Sequence, residues 1–61
     1  MKIGDLVKII YKHGAVNYLF GIYLGETRVQ QTTWVKIVNQ DGEQQNLYKF
    51  DYIFEVINEC G

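Results

Sequence analysis

The chain has no proline, one cysteine and one histidine among its 61 residues. Each shortage excludes something. A lone cysteine, Cys60, leaves no internal disulfide, and Cys60 with His13 falls short of the four ligands of a structural zinc site. Chains this short usually lean on disulfides, metal or a tightly closed core. Here the core has to carry the fold, although such a chain buries only about 60% of the surface its unfolded form exposes. With proline absent, nothing interrupts the strand patterns below. No apolar run approaches transmembrane length, so no membrane contact is expected. The lone cysteine, together with the lack of a signal peptide, points to a reducing cytoplasm. No charge of one sign dominates either: six basic and seven acidic residues give a net charge of −1. That argues against strong, nonspecific nucleic-acid binding, which usually rests on a basic excess.

What is present is apolar and aromatic. The hydrophobic content is 48%, with one tryptophan, five tyrosines and three phenylalanines. A core is therefore affordable within one domain, spanning residues 1–61.

The most legible stretch is 34–45, WVKIVNQDGEQQ. Lys36 needs water, so Val35 and Ile37 take the opposite face and point inward. Trp34 and Val38 then share the solvent side with Lys36. Asp41 and Gly42 tolerate the positive φ of tight hairpins, with Asn39 and Gln40 adding to the turn signal. A longer loop with Gly42 at a bulge is the alternative.

The same reasoning runs along the rest of the chain. Lys8 and Lys12 mark the solvent face of a first strand over 6–12, which turns Val7, Ile9 and Tyr11 inward. Residues 13–17 read as a loop. A second strand over 18–26 places Phe20, Ile22 and Leu24 on one face, taken as the core face. Gly21, Tyr23 and Gly25 fall on the other, where glycines permit a sharp bend and Tyr23 lies over bare backbone. The polar stretch 26–32 reads as a loop with Val29 tucked under. A fourth strand covers 44–48 with Leu47 inward, and 49–52 reads as a short turn or one 3₁₀ turn. The last strand, 53–57, turns Phe54 and Val56 inward because Glu55 needs water. Residues 58–61 read as a frayed tail. Five short strands without a convincing helix or a repeat define an all-β domain. The long first loop, the tight hairpin and the turn before the last strand describe a five-stranded SH3-like barrel.

Four segments carry a resemblance: GDLVKI at 4–9, GIYLGE at 21–26, WVKIVNQDG at 34–42 and FEVI at 54–57. They resemble the small, mostly uncharacterised SH3-like proteins of tailed phages, over nearly the full length. Those chains open on a Gly-Asp-aliphatic strand, carry a central strand ending in Asp-Gly, and close on an acidic-aliphatic strand. The motifs mark turns and core rather than chemistry. The resemblance implies the fold and a phage origin, and with it a host cytoplasm. It does not extend to eukaryotic signalling SH3 domains. The acidic residues of their first long loop are missing between Lys12 and Gly25, and so is the proline before the 3₁₀ turn.

Candidate chemistry is thin. His13 has no carboxylate, cysteine or serine beside it in the sequence, and reads as a solvated loop residue. Cys60 reads as a bystander thiol. Gly21 and Gly25 precede no helix and so form no phosphate loop. Asp41 and Glu43 flank a turn, and Asp5 follows Gly4 at a strand start; local hairpin and turn roles account for all three. No nucleophile, base and oxyanion donor can be assembled. The expectation is a protein that is not an enzyme, without cofactor or metal.

Two surfaces are candidates for a partner. In an SH3-like barrel the first long loop, the start of the third strand and the 3₁₀ turn lie side by side, so Tyr18, Trp34 and Tyr52 are expected at one groove. Rigid amphipathic rings of this kind anchor protein contacts; the plainer reading is that they cap a barrel too small to bury them. The second surface follows from alternation. If Lys8 and Glu55 face water, so do Leu6, Ile10, Ile53 and Ile57. Antiparallel pairing of the first and last strands gathers these four into one apolar patch, suited to a protein partner or a homodimer. A nucleic-acid contact of the KOW or Tudor kind, through Lys8, Lys12, Arg28, Lys36 and stacking aromatics, is the alternative, disfavoured by the acidic balance.

Overall fold

The computed structural model describes residues 1–14 and 18–57. The frayed tail expected at 58–61, Cys60 with it, and residues 15–17 of the first loop lie outside the described residues. The strands are β1 (Leu6–Tyr11), β2 (Tyr18–Val29), β3 (Thr32–Asn39), β4 (Gln44–Tyr48) and β5 (Tyr52–Val56), with a 3₁₀ turn at Lys49–Asp51. They form one antiparallel sheet in the order β4-β3-β2-β1-β5. The architecture is all-β, and no ladder joins β4 to β5 among the described residues.

One face of this sheet is buried. Val7, Ile9, Val35 and Ile37 are at most 1% exposed, and Tyr23 completes the cluster at 8%. Leu47, Tyr52 and Phe54 pack against it. No second layer exists among the described residues to cover these side chains. A β-bulge, which bends a strand and strengthens its twist, interrupts this sheet. The bend sits in β2. Its register with β3 slips between Tyr23 and Gly25, leaving Leu24 as the extra residue. Gly25 has φ +122°, a conformation L side chains rarely adopt.

That bend corrects the reading of β2. Phe20 and Ile22 lie on the outer face and Ile22 is 37% exposed, while Gly21 and Tyr23 point inward. The physical reason lies at Gly21. A Cβ there would stand 2.9 Å from the Val38 carbonyl oxygen and 3.2 Å from Ile37 Cδ1. The inner face has no room for a side chain at 21, so the larger apolar side chains are displaced outward. Leu24 sits in the bulge, half-buried. Val56 shares the inner side through its pairing with Val7 but remains 42% exposed at the sheet margin.

The turns divide the same way. Between β3 and β4, Asn39 Oδ1 accepts from the Asp41 and Glu43 N–H groups at 2.9 and 3.0 Å. The Gly42 N–H bonds the Asn39 carbonyl at 3.0 Å, and Gly42 has φ +83°. This is the longer loop with glycine at the left-handed position. Between β2 and β3 there is no loop over 26–32. Both strands continue to a two-residue turn at Gln30 and Gln31, with φ of 49° and 68°. Val29, expected to be tucked under, is 51% exposed beside it. Asp5 caps the entry to β1: its Oδ2 accepts the Lys2 N–H at 2.8 Å.

Candidate functional site

The outer face of the sheet carries the candidate surface, and the registers define it row by row. Ile57 donates its N–H to the Leu6 carbonyl at 2.8 Å. Leu6 pairs with Ile22, and Ile22 with Val38. One aliphatic row, Ile57–Leu6–Ile22–Val38, thus crosses from the margin of β5 to β3. The next row is Glu55–Lys8–Phe20, and the third is Ile53–Ile10–Tyr18. Paired residues of antiparallel strands project on the same side, so these rows make one continuous surface. Leu6 and Ile10 are half-buried by their neighbours, whereas Ile53 and Ile57 are exposed. A cavity of about 210 Å³ opens among Leu6, Phe20, Ile22 and Val38.

The pairing places all four residues expected in the strand patch on this face. It adds Ile22, Phe20 and Val38 to them. Phe20 and Ile22 were missed because alternation in β2 gave them to the core; their outward turn depends on the crowding at Gly21, which no local pattern reveals.

Beyond the bulge the rows change character. Gly25 pairs with Lys36 and Lys36 with Asn46; Thr27 pairs with Trp34 and Trp34 with Tyr48. Trp34, Lys36 and Asn46 line a second cavity of about 350 Å³ with Thr27 and Val29. The Trp34 and Tyr48 rings lie 5.7 Å apart, and Tyr48 meets Phe50 edge-on at 5.9 Å.

The expected single groove of Tyr18, Trp34 and Tyr52 is not assembled. Tyr18 and Tyr52 line a cavity of about 190 Å³ with Ile9, Tyr11 and Leu19. Trp34 belongs to the other cavity and to the Tyr48–Phe50 cluster. Tyr52 pairs with Tyr11 on the inner side, whereas Trp34 shares the outer side with Lys36; Tyr18 also faces outward, but it pairs with Ile10 at the far end of β2 from Thr27, the partner of Trp34.

Electrostatics are local. His13 Nε2 lies 3.1 Å from Asp51 Oδ1, so the solvated histidine of the sequence reading does have a carboxylate, supplied by the 3₁₀ turn. The Lys12 N–H bonds the Asp51 carbonyl at 2.9 Å and secures the same junction. On the inner side the Tyr23 hydroxyl donates a hydrogen bond to the Glu26 carboxylate, and Glu26 Oε2 lies 3.5 Å from Lys49 Nζ. Burial first, then the Glu26 charge and hydrogen bond, raise the Tyr23 pKa above 10.0. The cations Lys8, Lys12, Arg28 and Lys36 do not converge. Lys8 and Lys36 lie in separate outer rows, and Arg28 pairs with Thr33 near the β2–β3 turn.

Among the described residues no three His, Cys, Asp or Glu side chains gather as a metal site. No helix there is long and apolar enough to cross a membrane. Compared with family models, with curated proteins and with solved structures, the chain gives no match.

Proposed function

We propose that this protein is a small SH3-like barrel acting as a non-enzymatic interaction module that docks on a protein partner through its outer sheet face. Support for the barrel comes from the strand order β4-β3-β2-β1-β5, the 3₁₀ turn between β4 and β5, and an inner face buried without a second layer. A single observation carries the docking reading: the aliphatic row Ile57–Leu6–Ile22–Val38, continued by Ile10 and Ile53. Isolated surface leucines and isoleucines are ordinary, whereas a contiguous apolar patch marks a contact surface. Lys8 and Glu55 in its middle supply one charge of each sign, which suits a protein surface better than a polyanion. If the chain is phage-encoded, a host protein in the cytoplasm is the natural partner.

The test is site-specific photo-crosslinking in the cell of origin. A photoreactive residue in place of Ile53 should yield a discrete protein adduct, and one in place of Glu43 on the hairpin should not. Purified partner should lose binding to an Ile10→Ser, Ile53→Lys double variant. Adducts to nucleic acid instead of protein, with binding that weakens steeply with salt, would replace this reading by the KOW or Tudor-like one.

A further inference from the structure

Three polar groups converge on the larger outer cavity without partners. Lys36 forms no ion pair among the described residues, and the Asn46 amide and Thr27 hydroxyl form no side-chain hydrogen bond there. Among the described residues no carboxylate lines the cavity. The nearest acid in sequence, Glu26, pairs with Val35 on the inner side, where Tyr23 and Lys49 hold it. Around these groups the surface is apolar: the Trp34 indole, Val29 and the Thr27 methyl. An apolar hollow with a few unoccupied polar groups is the usual form of a ligand site. Among the described residues its one free charge, Lys36, is positive.

The hollow is also open along a strand edge. β4 ends the sheet, and its sequence Gln44-Gln45-Asn46-Leu47-Tyr48 contains no charge, no proline and no bulge. Proteins that guard an edge strand use such devices, and this one has none of them. An extended chain can therefore add to β4 through backbone hydrogen bonds while its alternate side chains face the outer surface. The register then assigns those side chains. A residue opposite Asn46 extends the Lys36–Asn46 row, and a residue opposite Tyr48 extends the Trp34–Tyr48 row.

We infer that the β4 edge and the Trp34 cavity bind an extended segment of a partner protein carrying an acidic residue and an aromatic residue with one residue between them. The carboxylate meets Lys36 and the Asn46 amide; the ring packs on Trp34 and Tyr48. A single lining cation suits one carboxylate and not a run of phosphates. A second copy of this chain is a poorer occupant, because the outward positions of β4 itself, Gln44, Asn46 and Tyr48, include no acid. The inference rests on the docking function proposed above and names one segment of the partner.

The probe is a short synthetic peptide, acetylated and amidated, with glutamate and phenylalanine one residue apart among threonines. It is titrated into the full ¹⁵N-labelled chain. Backbone amide shifts should concentrate in β4, with the Trp34 indole N–H moving as well. Replacing glutamate by glutamine in the peptide should weaken binding about tenfold, in line with loss of a partner to a partly desolvated cation. A Lys36→Glu variant should lose the original peptide and bind its charge-reversed version, with lysine in place of glutamate. That rescue separates recognition from mere misfolding, which the spectrum itself also reports; Lys36→Gln serves should Lys36→Glu not fold. Equal binding of the glutamine peptide, shifts confined to Leu6, Ile10 and Ile53, or no shifts at millimolar peptide would each overturn the inference. Strand addition by a second copy, seen as concentration-dependent β4 shifts without peptide, would overturn it too. Crosslinking at Ile53 is independent of the peptide, so its success alongside peptide failure removes this inference and leaves the docking function standing.

Discussion

Lys8 stands directly opposite Glu55 in the β1–β5 ladder, yet its ammonium lies 4.3 Å from the centroid of the Tyr18 ring. The pairing available from register is forgone for a cation–π contact on the neighbouring strand. Glu55 is left without an ion pair among the described residues, in the middle of the apolar face. An exposed cross-strand ion pair contributes little, and a lysine over a tyrosine face is worth a similar amount. The orientation of Lys8 is thus weakly held, and its exchange to a partner's carboxylate costs little.

The apolar face is expected to be dispensable for folding. Ile53 is 45% exposed and Ile10 half-buried. The Ile10→Ser, Ile53→Lys double variant should therefore lose only about 1 kcal/mol of stability, since surface substitutions usually stay near half a kcal/mol each. Chemical denaturation measures this. If copies of the chain pair through the same face, sedimentation velocity should show the parent self-associating and the variant monomeric; a parent that stays monomeric at high concentration excludes the homodimer.

Gly21→Ala tests the phasing of β2. A methyl group 2.9 Å from the Val38 carbonyl oxygen presses on backbone and not on a movable side-chain end. Overpacking of this kind costs about 1–3 kcal/mol. A denaturation midpoint equal to the parent's would place residue 21 on the outer face.

Gln31→Gly should stabilise the β2–β3 turn. Gln31 has φ 68°, and a non-glycine residue in that region carries a penalty of about 1 kcal/mol. Glycine adds freedom to the unfolded chain, which offsets part of the gain. A net rise of about 0.5 kcal/mol is expected from thermal or denaturant melts, whereas Gln31→Val should lower stability.

Tyr23 confers a pH dependence at the alkaline end. The folded state holds its phenolic proton more tightly than the unfolded state, where a tyrosine titrates near its ordinary value of about 10. The stabilisation tied to that proton is complete below the unfolded value and is lost as pH rises through the higher folded one. Stability should fall on going from neutral pH to above this range, and the slope should be smaller in Tyr23→Phe. Glu26→Gln should bring the Tyr23 titration part of the way back, because burial, the larger cause, remains. Ultraviolet difference titration of phenolate, compared with Tyr23→Phe, follows it.

Where charge alternates with apolar residues, the fold was legible. Lys36 placed Val35 and Ile37 in the core, Lys8 placed Val7 and Ile9, and Glu55 placed Phe54 inward and Ile53 outward. The turn at Asn39–Gly42 and the 3₁₀ turn were readable for the same reason: each depends on groups only a few residues apart. The patch Leu6, Ile10, Ile53 and Ile57 followed from alternation joined to one assumed strand pairing.

Tertiary structure decided what alternation could not. In β2 every residue from Tyr18 to Gly25 is apolar, aromatic or glycine, so no charge identified the solvent side; the Val38 carbonyl close to Gly21 chose it. Gln30 and Gln31 carry no turn signature, and their positive φ is imposed by two strands already paired on either side. The separation of Trp34 from Tyr52 depended on the face each strand turns inward and that from Tyr18 on the register of β2, and the His13–Asp51 contact joins residues 38 positions apart. Sequence by itself determined that there are five strands, though not where β2 ends and β3 begins, and the amphipathic faces that a solvated charge marks. The pairing of the strands determined the rest, because which side chains meet, and which find no room, is set by distances between strands that lie far apart along the chain.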